Sequence, residues 1–129
     1  MLAIDQLHRL LRRAGRNDLR TDYLLDPGNE VRVILRTPNW EDFVELAFTE
    51  IRFYGAANIQ IPRRVRAMIL NLANTLPLER HPALRQQLDL LDHTLKKFYV
   101  LPEDLALARV PDTQGLGGST DGIAAAWKA

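Results

Sequence analysis

Over residues 3–15 the apolar positions Ile4, Leu7, Leu10 and Leu11 recur at three- and four-residue steps, which places them on one face of a helix. Arg9, Arg12, Arg13 and Arg16 fall away from that face, and Gly15 suits the helix end. Further on, the period shortens to two. Val31, Val33 and Leu35 alternate with Arg32, Ile34 and Arg36, the pattern of a strand with one buried face. A second apolar run, Tyr23-Leu24-Leu25, precedes it. Between the two lies Asp26-Pro27-Gly28-Asn29, where proline presets φ and glycine accepts positive φ, so a β-hairpin is predicted near 22–36. Two strands alone are marginal, and the hairpin is expected to lie on helices or join another sheet edge.

The helical period then returns. Thr37 can cap the new helix, Pro38 fits its first position, and Glu41 and Asp42 sit near the positive end of its dipole. Trp40, Phe43, Val44, Ala47, Phe48, Ile51 and Tyr54 fall at helical steps and read as core. Gly55 is expected to end this helix in the left-handed conformation. A third helix starts between Asn58 and Pro62, turns Val65, Ile69, Leu72 and Leu76 inward, and stops at Pro77. A fourth carries Leu84, Leu88, Leu91, Leu95 and Phe98 on one face. Pro102, Glu103 and Asp104 open a short fifth, to about Arg109. The expected fold is α+β, mainly α, with about five helices packed around one β-hairpin. Residues 1–110 form a single domain, and 111–129 are expected to be a Gly-rich flexible tail.

Composition narrows the function. The 129 residues suit one domain with a moderate core. Basic residues number 17 against 16 acidic, a net charge of +1, short of the excess usual in a nucleic-acid binder. Nucleic acid is therefore not the expected partner, and the cationic face of Arg9, Arg12, Arg13 and Arg16 is where it would bind. The absence of cysteine excludes disulfides, thiolate chemistry and cysteine-based zinc sites. No stretch approaches the ~18 consecutive apolar residues of a membrane helix, and the N-terminus, with Asp5 and no apolar core, is not a signal peptide. The chain is expected to be soluble and intracellular.

Enzyme readings find little support. No Walker A or dinucleotide fingerprint occurs, and "GLGG" lacks the flanking strand and helix that phosphate cradling requires. Asp89 and Asp92 share a helix face with His93 nearby, but no further convergent donors follow from spacing, so no metal is expected. His8 and His81 lie too far off to join them. Glu41, Asp42 and Glu45 are explained by the dipole and by solvation. No catalytic residue and no cofactor is expected. One stretch asks for more: "EIRFYGAANIQIPRRVR", residues 50–66. Arg63, Arg64 and Arg66 stand at a helix start, where the dipole disfavours cations. Either Arg52, Arg63 and Arg64 converge on a small anion or phosphate beside helix N–H groups, or the arginines form an intramolecular salt-bridge and capping network with acids such as Glu50.

Taken in order, W-x-D-F, E-I-R-x-Y-G-A, R-R-x-R-A and P-D-x-Q-G-L-G-G resemble a bacterial family of predicted membrane proteins, catalogued as domain of unknown function twenty-two fifty-four. The likeness covers about residues 3–118 and excludes "IAAAWKA". It implies the C-terminal soluble region of such a protein, joined in other members to transmembrane helices absent from this chain. It implies no catalytic residue. Pro62 stands where a helix-compatible apolar residue is expected, which bears on where that helix begins. The function so implied is a non-enzymatic, cytoplasmic regulatory or assembly domain at the inner face of the membrane. It would act through protein–protein contact, with the membrane-embedded region or as a homo-oligomer. Apolar surface that faced the rest of such a protein is expected to be exposed.

Overall fold

The computed structural model describes residues 2–19, 22–35 and 38–116, with Ile123, Ala126 and Trp127. The elements run α1 (Leu2–Gly15), β1 (Asp22–Leu25), β2 (Val31–Leu35), α2 (Trp40–Gly55), α3 (Gln60–Thr75), a 3-10 turn (Leu78–Arg80), α4 (His81–Phe98) and α5 (Pro102–Ala108). Over the described residues the fold is mainly helical α+β, with five helices and one hairpin, as the periodicity predicts.

The helices pack on α3. Every residue from Arg64 to Ala73 is buried, because α1, α2, α4 and α5 all contact this helix. Its predicted stripe of Val65, Ile69, Leu72 and Leu76 joins Trp40, Val44 and Phe48 of α2 and Leu84, Leu91 and Leu95 of α4 in one core. Burial of such apolar area dominates the stability of the bundle, at about 1.5–3 kcal/mol for each large side chain.

Helix ends differ from expectation in two places. Thr37 lies outside the described residues, and the cap of α2 is Asn39. Its side chain accepts from the Asp42 N–H at 2.8 Å, and Asp42 accepts from the Asn39 N–H at 3.0 Å, a reciprocal capping box. Pro38 therefore precedes the helix. Gly55 stays helical and has no positive φ. Its smallness serves contact: a Cβ there would lie 2.4 Å from Ile61 Cγ2. The first turn of α3 rests on that bare backbone. Gly15 acts similarly, since a Cβ would come within 2.6 Å of Leu76 Cδ1.

The hairpin pairs Tyr23 with Ile34, Leu24 with Val33 and Leu25 with Val31, with a bulge at Leu24/Leu25. Asn29, rather than Gly28, takes the positive φ of 62°. The Asp26 carboxylate organises the turn by accepting from the Gly28 and Glu30 N–H groups and from Arg32 Nε. These bonds hold its pKa below the usual value, the Glu30 amide first and Arg32 next. The expectation of one buried strand face fails. Every residue of β2 is exposed, as are Tyr23, Leu24 and Leu25. Among the described residues the strands' main contact is with each other, and no helix stripe covers the sheet.

Of the tail expected over 111–129, residues 111–116 lie against α3, with the Asp112 N–H donating to Arg63 O at 3.1 Å. Ile123 and Trp127 pack against the core, and the Trp127 ring meets His81 edge-on at 5.7 Å. Residues 117–122, 124, 125, 128 and 129 lie outside the described residues.

Candidate functional site

The arginines of the third helix are bound within the fold. Arg64, which is 6% exposed, donates through Nε and Nη2 to Asp5 Oδ1 at 2.8 and 2.6 Å. Its Nη1 donates to the carbonyls of Asp112 and Gln114 at 3.2 and 2.5 Å. One guanidinium thus joins α1, α3 and the segment after α5. Arg66 pairs with Asp92 of α4, which also lies 3.4 Å from Arg109 Nε. Arg63 donates to Val110 O and to Gln60 Oε1. Carboxylate and carbonyl oxygens thus offset the dipole cost of cations at this helix start.

Arg52 stands apart from these. It points toward Thr94 at 3.4 Å, lies 5.5 Å over the Phe53 ring, and shares a cleft of about 350 Å³ with Lys97 and Phe98. Arg52, Arg63 and Arg64 therefore each engage different partners. Glu50, the acid suggested for them, lines the groove between α1 and α2. Asp89, Asp92 and His93 do not assemble a donor set: Asp92 serves Arg66, and His93 Nδ1 lies 2.8 Å from Asp89 O. Among the described residues no three His, Asp or Glu side chains are grouped to hold a metal ion.

A buried polar cluster escaped the sequence reading. His8 is 3% exposed, and its Nε2 lies 2.9 Å from Asn71 Oδ1 and 3.2 Å from Arg12 Nη2. Arg12 Nη2 donates to the same oxygen at 2.5 Å. Burial, and then the Arg12 guanidinium, lowers the His8 pKa from 6.5 to about 4, so the ring is neutral near pH 7. The signal for its burial was the spacing of Ile4, His8, Leu11 and Gly15, the buried residues of α1. Arg12 turns inward with it, leaving Arg9, Arg13 and Arg16 on the exposed cationic face.

A further open feature is apolar. Two adjoining depressions of about 780 and 510 Å³ run between α1 and α2 and share Leu7, Leu10 and Ile51. Leu10, Leu46 and Tyr54 form the rim, at 65, 76 and 83% exposure. Leu10 and Tyr54 were expected inside; they sit at the edges of their stripes, beyond the reach of another helix. Phe98 is likewise exposed at the end of α4.

The geometry defines a small, mainly helical domain whose first two helices leave an apolar groove open. The chain belongs to the family of predicted membrane proteins designated DUF2254, whose model matches residues 1–71. That segment takes in α1, the hairpin, α2 and most of α3, and with them the rim of the groove and the exposed strands. No curated protein and no solved structure matches the chain. Among the described residues no helix is long and apolar enough to cross a membrane.

Proposed function

We propose that this chain is a non-enzymatic association domain of its membrane-protein family, acting at the cytoplasmic face through its apolar surfaces. The observation that carries the reading is the α1/α2 groove with its exposed rim of Leu10, Leu46 and Tyr54. A contiguous apolar surface of this kind marks a contact site. Light scattering of the purified chain, with recovery of the expressed chain in the membrane fraction of cells, tests it. Association in either assay that Leu46→Arg abolishes, with the helical circular dichroism unchanged, supports the reading. A monomer in the first and absence from membranes in the second overturns it.

A second reading, recognition of a small anion, finds its support at Arg52. Arg52 and Lys97 share one cleft, flanked by Phe53 and Phe98, and neither has a carboxylate partner among the described residues. A phosphate- or sulfate-dependent rise in melting temperature that Arg52→Ala removes supports it. A rise removed by Arg63→Ala and Arg64→Ala instead returns the site to the start of α3. No rise with any anion discards the reading.

A further inference from the structure

We propose that the hairpin of one copy of this chain seats in the α1/α2 groove of a second copy, and reciprocally, forming an arm-exchanged two-fold dimer. The proposal rests on the association reading above and names the partner.

The hairpin needs cover. Tyr23, Leu24, Leu25, Val33, Ile34 and Leu35 stand about half exposed on its two faces. An isolated two-stranded hairpin is marginal in water, so an apolar one at the surface calls for a packing partner. The groove needs an occupant of matching shape. It is lined by the two helices that the hairpin joins in sequence. The 14 residues of α1 span about 21 Å, and the five of β2 about 17 Å, so a strand fits along the helix.

Charge sets the orientation. The hairpin turn carries Asp26 and Glu30, which share Arg32 as their counter-charge and so leave the turn one net negative charge. Along α1, Arg9, Arg13 and Arg16 form an exposed basic strip, and Arg13 follows the rim residue Leu10 by one helical step. An arm laid in the groove brings its acidic turn toward this basic strip.

Other contacts serve less well. Edge-to-edge pairing of two hairpins leaves both sheet faces in water. Groove-to-groove packing leaves the arms uncovered. Insertion of the hairpin tip into a bilayer desolvates the Asp26 and Glu30 carboxylates. Reciprocal exchange covers both surfaces twice under one symmetry operator.

The chain has no cysteine, so engineered ones report without background. Ile34→Cys and Leu46→Cys are made as separate single variants of the full chain and mixed under mild oxidation. The expected product is a disulfide-linked heterodimer that outruns either homodimer. Leu10→Arg with Leu46→Arg is expected to weaken dimerisation at least about thirtyfold with helical content unchanged, and Arg13→Glu about fivefold. Cross-links confined to pairs of Ile34→Cys chains, or to pairs of Leu46→Cys chains, overturn arm exchange while leaving self-association standing. A strict monomer at high micromolar concentration overturns it too. If that monomer is recovered with membranes through Leu46, the association reading survives without it; if not, both fall.

Discussion

His8 and Arg64 carry opposite lessons about buried polar side chains. His8 is folded in its neutral form, with a pKa of about 4 against 6.5 for the exposed ring. Below pH 6.5 the unfolded chain takes up a proton that the folded chain does not. Stability is therefore lost progressively from about 6.5 down to about 4, and is unaffected by this group above that window. The loss reaches about 3 kcal/mol at the acid end. Urea denaturation at pH 7 and pH 5 is expected to show it, and His8→Gln is expected to flatten that part of the pH profile. Arg64 is buried because two other segments of chain, α1 and the residues after α5, supply three oxygens to it. Arg64→Ala strands the half-covered Asp5 carboxylate and two carbonyls, and is expected to cost roughly 2–4 kcal/mol. Arg64→Lys is expected to recover little of this, because an ammonium cannot reproduce the planar fork that reaches both sides. Chemical denaturation of the two variants beside the parent checks both statements.

At the scale of elements, Gly55 couples the end of α2 to the start of α3. Gly55→Ala adds a methyl that must displace Ile61, at a cost of about 1–3 kcal/mol offset in part by better helix propensity. Ile61→Ala removes the opposing methyl groups, so the double variant is expected to be more stable than the sum of the single losses. Thermal melts of the four proteins measure that coupling. This contact also marks how far the sequence could be read. Periodicity located all five helices and the hairpin, because each element's apolar spacing is local. A glycine after a helix has two uses, a left-handed turn or a close approach, and only the position of Ile61 separates them. The roles of Arg64 and Arg66 were hidden for the same reason. Their carboxylate partners lie 59 and 26 residues away, and nothing in the spacing joins them. The salt-bridge network considered for residues 50–66 was legible as a type of solution, but its acids, Asp5 and Asp92, were not. Leu10, Tyr54 and one strand face read as core because apolar residues at regular steps seek cover, and in this chain the cover is not supplied by its own helices.

For the whole molecule, the division between a closed bundle and an open apolar flank makes a prediction about protection. The core around α3 is sealed by its own chain, with Met68, Ile69 and Leu72 almost wholly buried. Its amides are expected to exchange with solvent only through global unfolding, at a rate governed by the stability of the bundle. The hairpin amides lack that seal. In a monomer they open locally, since the strands bury little and, among the described residues, pair only with each other. Association through the groove adds a packing surface to these strands alone. Hydrogen exchange followed over a series of protein concentrations is therefore expected to slow selectively in residues 22–35. In α3, the slowing is expected to be smaller and to follow the gain in global stability from mass action. With Leu10→Arg and Leu46→Arg together, the hairpin is expected to exchange at its monomer rate at every concentration. Hairpin exchange that is slow and independent of concentration would instead assign its cover to the chain's own fold, and would remove the reason for an arm to leave it.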